Sequence, residues 1–221
     1  MRCFVRRGLS RSARRCVLIE ILTVCTGNIC RSPLAAVVLQ TRLADLDARV
    51  TSAGTRGLDD AAMTAEAQTL AVALGVPPEV AAAHRSRYLL ELHLLTPDLI
   101  LTMTREHRRM VAELAPARLR TSFTVREFAR LAAGVSDDDL RSAADEAGAD
   151  AAARMRAAAA LVSTRRGIAP APADPTDDDV IDPYGRPWKV YQESAAQLAP
   201  ALAEVIRVAR LAAGPSPALG R

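Results

Sequence analysis

Residues 17–24, Val-Leu-Ile-Glu-Ile-Leu-Thr-Val, form a nearly unbroken aliphatic and β-branched run. Such a run predicts a strand buried on both faces rather than a half-wet one. A loop occupies residues 25–32, and helical apolar spacing follows over 34–46, with Pro33 placed as the first helical residue. Residues 49–53 predict a second short strand closed by Gly54, and 64–74 a helix that stops at Gly75. A third buried strand is expected over 98–103, a helix over 104–114 and a fourth strand over 119–124. Strands alternating with helices in this way specify an α/β three-layer sandwich around a central four-stranded parallel sheet. In such sheets ligands bind beyond the carboxyl ends of the strands, where the loop after the first strand lies.

The second half of the chain breaks this rhythm. Ser136 followed by Asp137, Asp138 and Asp139 supplies a helix cap with acids in the first turn, and an alanine-rich helix should run to about residue 162. Pro170, Pro172 and Pro175 then lead to the acidic run 177–179. We read residues 134–177 as a helical insertion, a surface helix followed by an extended linker. From Trp188 onward, Tyr191, Leu198, Leu202, Val205 and Ile206 keep a helical rhythm, which Pro200 should kink or restart. The chain thus divides into an Arg-rich extension at 1–16, expected to be disordered, a domain over 17–211 and a frayed tail at 212–221.

Composition narrows the functional classes. With 221 residues, half of them hydrophobic, the chain can bury one substantial core. No apolar run reaches the roughly 18–20 residues that span a bilayer. The net charge is +4, yet residues 1–17 hold six arginines and no acid, so the remainder carries −2. That balance removes the main argument for a nucleic-acid partner. The four cysteines, at 3, 16, 25 and 30, have neither zinc spacing nor the spread of a disulfide scaffold, and His84, His93 and His107 form no ligand pair with them. No metal or cofactor is expected, and a reducing, cytoplasmic compartment fits best.

Cys25 and Arg31 stand in a C-x₅-R arrangement between a strand and a helix N-terminus. Backbone N–H groups and the helix dipole converge there, which suits an oxyanion. Gly27 and Asn28 tolerate the left-handed backbone that a tight cradle needs. The planar fork of Arg31 matches two phosphate oxygens. Cys25, in the same field, is the nucleophile, and Ser32 can donate a hydrogen bond to its sulfur. Cys30 shares the loop with Cys25, and a tight anion-binding loop can bring two thiols within disulfide reach. Cys30 is therefore a candidate redox partner.

The stretch Val24-Cys-Thr-Gly-Asn-Ile-Cys-Arg-Ser-Pro33 resembles the phosphate-binding loop of the low-molecular-weight protein tyrosine phosphatases. The resemblance continues through residues 51–55, 84–88, 98–103 and the Asp182-Pro-Tyr184 triplet, covering roughly 17–133 and 180–211. It implies hydrolysis of phosphotyrosine in proteins through a phosphocysteine intermediate. Cys25 would attack phosphorus, Arg31 would hold the equatorial oxygens and Asp182 would protonate the leaving phenolate. Thr26, Gly27, Asn28, Ile29, Cys30 and Ser32 would line the phosphate site. Ser52 and His84 match positions that shape the loop. Tyr184 would wall a slot for a phenyl ring, whereas Trp188 and Tyr191 are expected to anchor the last helix. The family-level partner is a phosphotyrosine-bearing protein, such as a bacterial tyrosine kinase or a polysaccharide-synthesis protein. Two positions depart from the pattern: Leu34-Ala-Ala36 lacks an acid, and Thr104 stands where the family usually has Asp.

Three alternatives stay open. Protein arginine phosphatases resemble this family but carry Thr before the second loop cysteine, where this chain has Ile29. A non-catalytic phospho-ligand-binding protein would not need Cys25, Arg31 and Asp182 all intact. A thioredoxin-coupled arsenate reductase would need relay cysteines downstream, and none follows Cys30.

Overall fold

The computed structural model describes residues 19–46 and 48–214; the extension at 1–16 and residues 215–221 of the expected tail lie outside the described residues, whereas 212 and 213, expected in that tail, still belong to the last helix, with Ala212 buried. Strand β1 (Ile19–Cys25) is buried along nearly its whole length, as its aliphatic run requires. It lies between β2 (Ala48–Gly54) and β3 (Leu99–Thr102), with β4 (Ser122–Thr124) beyond β3, in the order β2-β1-β3-β4. All three pairings are parallel, with Cys25 opposite Gly54 and Val24 opposite Thr102. The carboxyl ends of the strands therefore gather at one rim, and the loop after β1 sits at its centre.

The strand period of two sends alternate residues to opposite faces. Ile19, Ile21, Leu99, Leu101 and Phe123 join one apolar cluster with α1 (Arg31–Arg42), α5 (Val125–Ala132) and α8 (Trp188–Ala213). On the other face Leu22, Val24 and Ile100 meet Leu89, Leu94 and, from α4 (Arg105–Leu114), Val111. The sheet is thus covered on both sides, as the strand–helix alternation leads one to expect. Helices α2 (Ala65–Ala73) and α3 (Pro78–Ala82) extend the first cluster through Ala67, Ala71 and Ala81. Among the described residues no helix is long and apolar enough to cross a membrane.

Four local expectations need correction. Helix α1 begins at Arg31, so Pro33 is its third residue rather than its first. The position is still compatible with proline, because the first four N–H groups of a helix have no intrahelical partner. The fourth strand is only three residues long, since Pro116–Thr121 forms a 3-10 turn. Helix α8 runs uninterrupted through Pro200, carried by a buried stripe of Leu198, Leu202, Val205, Val208 and Ala212. The apolar packing of that stripe outweighs the one hydrogen bond that proline removes.

The segment expected as a single surface helix is two helices, α6 (Asp137–Glu146) and α7 (Ala151–Thr164). They are separated at Gly148, whose φ of +90° ends the first, and Asp150 caps the second. Met155, Ala158, Ala159 and Val162 of α7 are completely buried in the main cluster. Alanine side chains let this helix approach the sheet closely. Arg156 of α7 also pairs at 2.6 Å with the buried Asp98, whose other oxygen accepts the Glu20 N–H at 2.9 Å. The helix is therefore core, whatever its origin in the chain.

Candidate active site

The loop after β1 folds around its own sulfur. Cys25 ends the strand in a buried position, and the Asn28 N–H points back at its Sγ over 3.3 Å. Asn28 has a φ of +55°, the left-handed conformation expected of it, whereas Gly27 lies outside that region. The Asn28 side chain is wholly buried and fully used. Its amide donates to Ser32 Oγ at 3.0 Å and to Ser52 Oγ at 2.8 Å, and its carbonyl accepts from the Arg87 N–H at 3.0 Å. Ser32 Oγ accepts from Asn28, and its own hydrogen has two acceptors in reach, Cys25 Sγ at 3.0 Å and, at the longer distance of 3.5 Å, the Ala53 carbonyl. Two donors thus face the sulfur.

Support comes from distant segments. His84 Nε2 donates to the Asn28 carbonyl at 2.8 Å. Burial, with Arg85 and Arg87 nearby, pushes this imidazole below its ordinary value despite that bond. Arg87 Nε in turn donates to the Ser52 carbonyl at 2.7 Å. Gly54, opposite Cys25, lies so close that a β-carbon would stand 2.6 Å from the Thr26 carbonyl. Helix α1 starts directly at Arg31 with no side-chain cap and no acid in its first turn. Its first amides are left for whatever sits before the helix, and that arrangement favours an anion.

Arg31 is almost wholly buried. One terminal nitrogen donates to the Val180 carbonyl at 3.1 Å, and the other pairs with Asp182 Oδ2 at 2.6 Å. Cys25, Arg31 and Asp182 are thereby brought to one cleft of about 290 Å³, which Thr26, Gly27, Ile29, Cys30, Arg56, Leu58 and Tyr184 also line. Asp182 and Tyr184 are exposed at its lip. Ser52 and His84 stand behind the loop rather than in the cleft.

Cys30 has a double allegiance. It touches the cleft, but its sulfur lies 3.6 Å from Thr64 Oγ1 and 3.7 Å from the Tyr191 hydroxyl. Burial pushes its thiol up. Tyr191 is buried and anchors α8, as expected, and burial pushes its phenol up to about 12. Trp188 is 42% exposed and does not anchor the helix.

Sequence reasoning passed over His107. This residue of α4 is buried beside the loop, with Nε2 2.9 Å from Thr26 Oγ1 and Nδ1 2.8 Å from Thr104 Oγ1. Burial, reinforced by Arg31, pushes it down to about 4 against the opposing pull of Asp182 and Glu106. A histidine three residues after a capping threonine, just past a central strand of a parallel sheet, was the available signal. Arg56, Leu58 and Arg87 were likewise not singled out. Among the described residues no group of three His, Cys, Asp or Glu side chains is placed to hold a metal ion.

Comparison with known proteins identifies the family. The family model described as low molecular weight phosphotyrosine protein phosphatase matches residues 20–165. A protein-arginine-phosphatase of Geobacillus stearothermophilus is 26% identical over 81% of this chain and 88% of its own length. The low molecular weight protein-tyrosine-phosphatase Etp of Escherichia coli is 42% identical over 44% of this chain, a match spanning 62% of that relative. In structure, a low molecular weight protein tyrosine phosphatase from T. tengcongensis superposes with a TM-score of 0.58 at 25% identity, covering 85% of this chain and 97% of that one. A family match over residues 20–165 spans more than half of the sequence, and the chain belongs to the low molecular weight phosphotyrosine protein phosphatase family.

Proposed function

We propose that the protein hydrolyses phosphotyrosine in protein substrates through a phosphocysteine intermediate. The observation that carries this reading is the meeting of Cys25, Arg31 and Asp182 in one cleft whose walls include the apolar Ile29 and Leu58 and the aromatic Tyr184 alongside Arg56. A phenyl ring fits such walls. The phosphoryl oxygens would take the loop amides and the Arg31 fork, which supply the positive field that phosphoryl transfer needs. Cys25 Sγ attacks phosphorus in line; the S–P bond forms as the P–O bond to the phenol breaks. Asp182 gives its proton to the departing oxygen, then takes one from the water that attacks the phosphocysteine. Phosphate leaves, and Ser32 steadies the released sulfur anion through its 3.0 Å contact.

A second reading, protein arginine phosphatase, is favoured by one observation: the alignment with the Geobacillus relative extends over 81% of this chain. Against it stands Ile29 in the cleft wall, where a threonine hydroxyl would meet a guanidinium. The test is to compare kcat/KM on a phosphotyrosine peptide and a phosphoarginine peptide, with Cys25→Ser alongside. We expect the tyrosine substrate to be preferred, Cys25→Ser to be inactive, and Ile29→Thr to move the preference toward phosphoarginine. A wild-type preference for phosphoarginine overturns the first reading in favour of the second. An active Cys25→Ser protein removes the covalent mechanism for both.

A further inference from the structure

The bonds around His107 fix the direction in which its neighbours donate. Thr104 Oγ1 caps α4 by accepting the His107 backbone N–H at 3.3 Å, and its own hydrogen remains to be donated. Among the described residues, the acceptor within reach of that hydrogen is His107 Nδ1 at 2.8 Å. With Nδ1 as the bare nitrogen of a neutral ring and the proton on Nε2, Thr104 Oγ1 makes one accepted and one donated bond and is fully paired, and we assign this tautomer. Nε2–H then donates to Thr26 Oγ1 at 2.9 Å, and Arg31 approaches the same oxygen at 3.4 Å. Thr26 Oγ1 accepts twice. Its hydroxyl hydrogen has no acceptor among the described residues, and the side chain lines the cleft beside Cys25 and Arg31.

We propose that His107 is a positioning residue that holds the Thr26 hydroxyl as an extra hydrogen-bond donor to a phosphoryl oxygen in the cleft. The proposal rests on reading the cleft as a phosphoryl-transfer site and adds to it a donor outside the loop amides and Arg31. A charged imidazole would make Thr104 Oγ1 accept from Nδ1–H as well as from the capping N–H and leave its own hydrogen unpaired. The surroundings disfavour the charge: the ring is buried, and the Arg31 cation adds to that effect against the pull of Asp182 and Glu106. Thr104, the residue that departs from the family's usual Asp, completes the logic. A carboxylate there would accept from Nδ1–H and impose the opposite tautomer, whereas a hydroxyl that already accepts the capping N–H donates to Nδ1.

The test is a double-mutant cycle on kcat/KM for p-nitrophenyl phosphate and on inhibition by inorganic phosphate, with thermal melting as a check on folding. A hydrogen bond to a charged group implies a loss of roughly ten- to a hundredfold for Thr26→Val. His107→Leu should lose a similar factor, and the double variant roughly no more than either alone. Thr26→Ser should restore most of the activity. His107→Gln, whose amide nitrogen can reach the place of Nε2, should retain more than His107→Leu. Wild-type kcat/KM in Thr26→Val overturns the proposal whatever the His107 variants do, and so do losses that multiply in the double variant. Should Cys25→Ser remain active, the phosphocysteine reading fails on its own. The cycle on phosphate inhibition still decides whether Thr26 donates to an anion.

Discussion

Acidification should reach the stability of this protein through His107. The ring is neutral and buried in the folded state, with its pKa pushed down to about 4, while in the unfolded chain it titrates near 6.5. Above the unfolded value both states are neutral and the residue contributes nothing that depends on pH. Below it the unfolded chain binds a proton that the folded one refuses, so stability falls as pH drops from 6.5 towards 4. At 1.36 kcal/mol per pH unit, the loss is about 2 kcal/mol at pH 5 and approaches about 3 kcal/mol near pH 4. Urea unfolding of wild type and His107→Gln at roughly pH 7.5 and pH 5 isolates this effect, because His84 and the carboxylates titrate alike in both proteins. The variant loses the bond to Thr104 and starts weaker, but the gap should narrow by about 2 kcal/mol on acidification. A gap that stays constant would refute the assignment of a neutral, desolvated imidazole.

Other consequences follow from the same geometry. Asp182→Ala should slow phenyl phosphate more than p-nitrophenyl phosphate, since the better leaving group needs less protonation; equal losses would assign the acid to another residue. Gly54→Ala should lower turnover sharply and cost more than 1 kcal/mol, because its β-carbon would meet the backbone of the loop at 2.6 Å; an unchanged melting temperature and rate would show that the loop yields. Met155→Ala in α7 should cost about 2–5 kcal/mol as a core truncation, read by urea unfolding, against near zero for a surface helix. After peroxide, wild type should recover with dithiothreitol and Cys30→Ala should not; equal recovery would leave Cys30 as packing between Thr64 and Tyr191.

What could be read from the chain divides along the line between local and distant contacts. The phosphate loop was legible because Cys25, Asn28, Arg31 and Ser32 lie within eight consecutive positions between a buried strand and a helix. The sheet was legible because β1 and β3 are continuous apolar runs. Asp182, Ser52 and His84 came from resemblance, since nothing in their own surroundings marks them. His107 and the Val180 carbonyl were missed for the same reason: their meaning exists only once the rim of the sheet is assembled. Helix α7 was misplaced because alanine carries little contrast between core and surface, so its buried face of Ala158, Ala159 and Val162 left a weak pattern. Pro200 misled in the opposite sense, as a strong local signal overridden by the packing of α8.

The span of the contacts that hold the loop has a consequence for how activity arises in time. Asn28 waits for His84, Thr26 for His107, and Arg31 for the carbonyl of Val180, which lies 149 residues further along the chain. Closing loops of that length is the slow part of folding, and little of it can happen before the distant partner exists. A chain emerging from the ribosome therefore carries its nucleophile from the start but no competent cradle until the segment that follows α7 has been made. During refolding, phosphatase activity should return with the last phase, after the helical signal has recovered, so turnover doubles as a clock for the completion of the fold.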